Sequence, residues 1–255
     1  MLAYCHVPKV ASSAWMLTFA DMNLVPVGTI LQKFKSRSLH DHMWATFSVK
    51  MTKPGDISNL SKLYKFVIVR HPFERLVSAF HDKFVVIQQV NLMVPFIDYY
   101  VGLKGIKKPK TLRKKWINNY VDVSFKSFVG FVLHEASLSS KISGPSGHWW
   151  PFTDFCKLCE IKYNYVGKLE TLKQDVDCIL AAFPEYELLH RMKTRIKVKV
   201  NASGHHNKNM TIDYFTQLSR KTIDKLYSMY EADFALGGYE YPQKYIHAGR
   251  LDTES

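Results

Sequence analysis

Apolar residues gather in short runs at three places along the chain, and each run ends at a turn signal followed by helical spacing. Residues 3–7 read as a strand closed by Pro8, with Ser12 or Ser13 placed to cap a helix that continues to about Met22. Residues 65–70 form a continuous apolar run bounded by Lys65 and Arg70, the pattern of a strand buried on both faces of a parallel sheet. Pro72 then occupies the first turn of a helix on which Phe73, Leu76, Val77, Phe80 and Phe84 share one face. A third strand reads at 163–167, and a helix follows from about 171 to 183.

The intervening segments are more varied. Residues 24–63 are mixed, with a turn signal at Lys53-Pro54-Gly55-Asp56. Helical periodicity covers 123–135, a small polar loop fills 139–147, and 212–230 reads as one or two amphipathic helices. At Arg191, Lys193, Arg195, Lys197 and Lys199 cations alternate, which on a strand sets every charge on one face. Strands alternating with helices imply an α/β fold with a mainly parallel sheet. Neither a repeat nor a linker interrupts it, so one domain is expected over 1–245, with 246–255 as a loose tail.

Bulk properties narrow the partner. At 255 residues and 47% hydrophobic content the chain can bury a large core, and 14% aromatic residues argue against disorder. The excess of 35 Lys and Arg over 22 Asp and Glu gives +13, which favours an anionic partner. Nucleic acid, an acidic membrane surface and an acidic polysaccharide all fit that sign. No apolar run reaches the length of about 18 residues that a membrane span needs, and no signal-peptide pattern opens the chain. The first loop begins within a few residues of Met1, so an anchor or targeting segment is expected upstream.

Four cysteines, Cys5, Cys156, Cys159 and Cys178, allow two disulfides or reduced thiols. The lone Cys156-x-x-Cys159 pair lacks the second half of a zinc site, and no metal cluster is expected. Sequons stand at Asn59-Leu60-Ser61, Asn201-Ala202-Ser203 and Asn209-Met210-Thr211, a weak pointer to a secretory lumen.

The chemistry concentrates in two strand–loop–helix segments, a geometry that aims backbone N–H groups and a helix dipole at one spot. The first loop lacks the Gly-x-x-x-x-Gly-Lys-Ser/Thr pattern of an NTPase. It keeps Lys9 as a point charge, and the small residues Ala11, Ser12 and Ser13 let amides approach an anion closely. On its own, this loop is equally a capped helix with a surface lysine. Arg70 stands at the carboxyl end of a buried strand, where open α/β sheets bind ligands. Ser78, eight residues on, meets the same anion only if the chain folds back over it. Glu74 and Arg75 read as structural, pairing with neighbours across the helix.

Taken together, Pro8-Lys9-Val10-Ala11-Ser12-Ser13-x-Trp15 resembles the 5′-phosphosulfate loop of Golgi carbohydrate sulfotransferases. Arg70-His71-Pro72-Phe73-Glu74-Arg75-Leu76-Val77-Ser78-Ala79-Phe80 resembles their 3′-phosphate motif. Further likeness lies in His148-Trp149-x-Pro151 with Cys156-x-x-Cys159, in Tyr163-x-Tyr165-Val166-Gly167-Lys168-x-Glu170-Thr171, and in Tyr230-x-x-Asp233-Phe234-x-Leu236-x-Gly238-Tyr239. The match is nearest the chondroitin and dermatan 4-O-sulfotransferase branch and spans roughly residues 4–240.

That resemblance implies a P-loop-like three-layer α/β sandwich around a central, mainly parallel sheet. The implied donor is 3′-phosphoadenosine 5′-phosphosulfate (PAPS), used without a metal. Lys9 would contact the oxygen bridging phosphate and sulfate, and the amides of Lys9, Val10, Ala11, Ser12, Ser13 and Ala14 after Pro8 would cradle the 5′-phosphate with the two serine hydroxyls. Arg70 and Ser78 would hold the 3′-phosphate. His148 is the first candidate to take the proton of the sugar hydroxyl, with His42 and His40 as alternatives. His71 either serves the site or shapes the turn after Arg70. The implied acceptor is an acidic glycan such as chondroitin or dermatan, met in the Golgi lumen by a protein whose only membrane tie is an upstream anchor. The basic segments 103–115, with seven Lys or Arg, and 191–199 are candidates for the glycan-facing rim or for plain solvated surface.

Two rival functions remain at this level. A nucleic-acid module needs basic residues interleaved with exposed aromatics or a groove-reading helix, and no such signature reads from the sequence. A catalytically silent glycan-binding relative is opposed by intact Lys9, Arg70 and Ser78. Against the resembled family, Ser13-Ala14 replaces the usual Thr-Asn or Thr-Ser, a change expected to preserve anion binding.

Overall fold

The structure is a computed structural model that describes residues 2–22, 61–86, 88, 90–138, 147–182 and 208–248. The chain divides into two compact units, Met1–Arg70 with Cys156–His205 and His71–Phe155 with His206–Ser255. The first contains a parallel sheet of order β1-β2-β3, formed by β1 (Leu2–Cys5), β2 (Tyr64–Val69) and β3 (Tyr165–Lys168). Leu2 pairs with Tyr64 and Cys5 with Val67, while Phe66 pairs with Tyr165 and Val69 with Lys168. Mixed α/β structure around a parallel sheet agrees with the expected P-loop-like class.

The strand boundaries move slightly from the sequence reading. β1 ends at Cys5 because Val7 already turns, its N–H donating back to the Cys5 carbonyl at 3.0 Å. Helix α1 (Ser12–Met22) packs on the sheet through Trp15, whose ring centroid lies 4.8 Å from that of Phe66. Central β2 is covered on both faces, with Phe66 to Val69 fully buried, as its unbroken apolar run requires.

Gly167 marks a close approach. A Cβ there would stand 2.8 Å from Ile68 Cδ1 and 3.0 Å from Asp175 Cβ, so only glycine lets α7 (Leu172–Ala181) sit against β3. Asp175 uses that proximity, accepting from the Tyr165 hydroxyl at 2.8 Å, the Lys168 amide at 2.9 Å and the Thr171 hydroxyl at 2.6 Å.

Cys5 and Cys156 form a disulfide with a Cα–Cα distance of 5.9 Å, whereas Cys159 and Cys178 are free and exposed. The bond closes a span of 151 residues and fastens the end of β1, just ahead of Pro8. Loop-closure entropy alone makes such a link worth about 5 kcal/mol. We expect the Cys5→Ala/Cys156→Ala double variant to lose up to that amount in denaturant unfolding. A midpoint equal to that of the oxidised wild type would refute the contribution.

The second unit is helical. It comprises α2 (Pro72–Phe80), a π-helical turn (His81–Val86), α3 (Val90–Lys104), α4 (Lys114–Tyr120), α5 (Phe125–Leu138), α6 (Phe152–Phe155), α8 (Lys208–Phe215), α9 (Arg220–Leu236) and α10 (Gln243–Ala248). All of α2 is buried, not one face of it. The π turn ends α2 before Phe84, yet Phe84 still stacks on Phe80 at 5.8 Å and remains in the core. Burial of Phe73, Phe96, Phe125, Phe128 and Trp149 in one aromatic cluster contributes about 2–3 kcal/mol per ring.

The 212–230 segment resolves into two helices, α8 and α9, the latter capped by Ser219 accepting from the Thr222 amide at 3.2 Å. At the carboxyl end α10 continues past Tyr245, which is fully buried, into the segment read as a loose tail. The strand expected at 191–199, the turn at 53–56, most of the 139–147 loop, and His40 and His42 lie outside the described residues. Among the described residues no helix is long and apolar enough to cross a membrane.

Candidate functional site

The first unit's site begins with backbone handedness. Lys9 has φ +72° and Ala11 has φ +59°, both in the left-handed region that non-glycine residues rarely enter. Pro8 has its φ locked negative by its ring, and Val10 keeps a negative φ, so the sign alternates from Pro8 through Ala11. Successive residues of opposite hand curl their N–H groups towards a common centre, an anion-binding nest. Left-handed backbone in a non-glycine residue costs about 1–3 kcal/mol and concentrates at ligand clamps.

Packing holds this loop in its strained form. Val10 is fully buried, Ala14 is 6% exposed and Trp15 is 1% exposed, so these side chains anchor the loop. Ala11 supplies the first carbonyl of α1, accepting from the amides of Ala14 at 2.9 Å and Trp15 at 3.3 Å. The amides of Ser12 and Ser13 thus precede the helical ladder, at the positive end of its dipole. Ser13 is exposed, Ser12 is nearly buried, and Lys9 is half-buried.

Strand register brings a second cation to the same sheet edge. Cys5 pairs with Val67, so Pro8 and Arg70 leave at equivalent positions beyond the carboxyl ends of β1 and β2. Arg70 is 8% exposed. β3 adds Lys168 opposite Val69, with the next amide, that of Leu169, donating to the Val69 carbonyl at 2.8 Å. Lys9, Arg70 and Lys168 therefore all stand at the edge where parallel sheets bind ligands. Lys168 stands in a quoted motif but receives no site role from sequence, although its place directly after the expected 163–167 strand is the signal that marks it.

The second unit carries Ser78 and His148. Ser78 is 3% exposed within α2. His71 shapes the helix start: its carbonyl accepts from the Arg75 amide at 2.9 Å, and its ring packs edge-on against Phe234 and Tyr239. His148 is half-buried in the turn between Gly147 and Trp150.

That turn is held by three buried polar side chains. Arg75, 1% exposed, donates to the carbonyls of Trp150 at 2.8 Å and Gly147 at 3.2 Å. Tyr230 donates to the Trp149 carbonyl at 2.5 Å. Asp233 accepts from the amides of Phe152 at 2.8 Å and Thr153 at 2.9 Å, and from the Thr153 hydroxyl at 2.8 Å. Burial pushes the Asp233 carboxyl up to about 6, against the lowering pull of Arg75 and these hydrogen bonds. Arg75 is structural, as expected, and its partners include distant main-chain carbonyls. Among the described residues no group of three or more His, Cys, Asp or Glu is placed to hold a metal ion.

An anion nest and cations at the carboxyl edge of a parallel sheet form an arrangement suited to an anionic group at a strand–loop–helix turn. Residues 1–241 match the sequence profile of the Sulfotransferase family, and the chain belongs to that family. It is similar to carbohydrate sulfotransferase 10 of Xenopus laevis, 28% identical over 248 residues that cover 94% of this chain and 65% of that protein. Human carbohydrate sulfotransferase 10 is 28% identical over 250 residues, covering 94% and 65% respectively. Mouse carbohydrate sulfotransferase 12 is 28% identical over 258 residues, covering 95% and 59%. The chain thus spans about 65% of the length of the carbohydrate sulfotransferase 10 relatives. No solved structure matches it significantly.

Proposed function

We propose that this chain is a carbohydrate O-sulfotransferase that moves a sulfuryl group from PAPS to a hydroxyl of an acidic, glycosaminoglycan-type or N-acetylgalactosamine-containing glycan. The observation that carries this reading is the Pro8–Ala11 nest beside Arg70, in a chain that matches the Sulfotransferase family over 1–241. Relatives named carbohydrate sulfotransferases support the glycan acceptor. The family match runs through both compact units, which supports one sulfotransferase domain over about 1–245. On this reading the protein works in the Golgi lumen, tied to the membrane through an upstream anchor, and needs no metal.

The donor is a phosphosulfate anhydride whose bridging oxygen becomes the negative leaving group. On this reading Lys9 neutralises that charge, while the amides of the nest and the hydroxyls of Ser12 and Ser13 hold the 5′-phosphate. Arg70 and Ser78 take the 3′-phosphate, and Lys168 adds positive potential at the same edge as Arg70. Positioning and charge neutralisation supply most of the rate in transfers of this kind. His148 accepts the proton of the attacking sugar hydroxyl.

The test is transfer of labelled sulfate from PAPS to chondroitin, dermatan, heparan and N-acetylgalactosamine-terminated glycans. We expect incorporation into at least one; donor binding without any incorporation would point to the silent relative. For the base, His148→Ala should lower kcat by about a hundredfold or more with donor affinity unchanged. Unchanged turnover at saturating donor would remove His148 and transfer the role to His42 or His40.

A further inference from the structure

The basic 103–115 segment leads into α4, whose sequence Lys114-Lys115-Trp116-Ile117-Asn118-Asn119-Tyr120 combines three kinds of group on one short helix. Trp116 and Tyr120, four residues apart, lie on the same side and stack at 5.4 Å between centroids with a 26° interplanar angle. Tyr120 is 53% exposed, an uncommon position for a large ring with no partner beyond Trp116 among the described residues. Asn118 and Asn119 are exposed, and neither is drawn into a hydrogen bond among the described residues.

Charge surrounds this ring pair. Lys108 pairs with Asp98, but Lys104, Lys107, Lys110, Arg113, Lys114 and Lys115 have no carboxylate partner among the described residues. Flat exposed rings suit the apolar C–H face of a pyranose, and uncompensated cations suit sulfate or carboxylate substituents.

We infer that α4 and the 103–115 segment form an accessory subsite for an acidic glycan. The inference rests on the proposed glycan acceptor and extends it, placing part of the polymer grip on this surface. Single-stranded nucleic acid also stacks on rings and pairs with cations. The carbohydrate sulfotransferases to which the chain is similar favour the sugar.

Binding of biotinylated chondroitin sulfate to the purified full chain tests this. Tyr120→Ala should weaken binding about tenfold, the effect of one stacked ring. Lys115→Glu should lower the salt concentration at which the polymer releases, whereas Lys225→Glu, the same charge change at an exposed position of α9, should not. Thermal unfolding of each variant should match the wild type. In transfer assays Tyr120→Ala should raise KM for the polymer about tenfold and leave turnover on a monosaccharide acceptor unchanged. Wild-type binding by both α4 variants, an equal effect of Lys225→Glu, or preferential displacement by polyuridylate would overturn the subsite. Loss of polymer binding in the variants of a protein that transfers no sulfate would uphold the subsite and refute the proposed activity.

Discussion

Replacing Lys9 by alanine is expected to reduce sulfuryl transfer by about a hundred- to a thousandfold, the effect of deleting one preorganised charge contact to a developing anion. The loss should fall on kcat, because the negative charge on the leaving phosphate grows only as the bond to sulfur breaks. Arg70→Ala should act differently, raising the donor's dissociation constant through loss of a ground-state contact. Lys9 also carries a left-handed backbone at φ +72°, which separates its two contributions. Lys9→Gly removes the same ammonium but relieves the strain, so it should be as inactive as Lys9→Ala and about 1 kcal/mol more stable. Kinetics and denaturant unfolding on the pair read these effects independently. Full activity in Lys9→Ala would sink the donor assignment. Equal stability of the two variants would remove the strain argument while leaving the charge argument in place.

The parts of this site that were legible from sequence are those set by local pattern. An apolar run ending in Pro8 or Arg70 and followed by helical spacing states a strand, its carboxyl end and the loop chemistry together. The nest itself was not legible, since alternating φ at Pro8, Lys9, Val10 and Ala11 is imposed by the burial of Val10, Ala14 and Trp15 and uses no glycine. Long-range pairings were equally silent. Arg75 bonds to carbonyls 72 and 75 positions away, and a main-chain carbonyl has no side-chain signature. The four cysteines allowed several connectivities, and only the fold brings Cys5 to Cys156. The basic run 103–115 reads as a charged surface, but the meeting of Trp116 and Tyr120 just beyond it was not legible, because it depends on a helix of only seven residues.

Removal of Asp233 should be the most damaging change to the second unit. Asp233→Ala leaves two amides and a hydroxyl without their acceptor and strips a nearby counter-charge from Arg75, which is 1% exposed. Breaking a buried arrangement of this kind costs roughly 3–5 kcal/mol. The turn that carries His148 is tied to the same frame through Arg75 and Tyr230, so transfer activity should fall along with stability. The carboxylate also predicts a pH dependence of definite sign. Its value of about 6 in the folded chain lies above the ordinary 3.8, so between these limits the folded state binds more protons than the unfolded state. Stability from this group is therefore fully present below about pH 4 and is lost as pH rises through 6, by about 3 kcal/mol in all. Asp233→Asn keeps the shape and one acceptor oxygen but cannot titrate. The difference in unfolding free energy between wild type and Asp233→Asn should accordingly drift against the wild type from pH 4 to 6 and then level off. A flat difference across that window would mean that Asp233 ionises as it does in water, and that the charge of Arg75, not burial, sets its state.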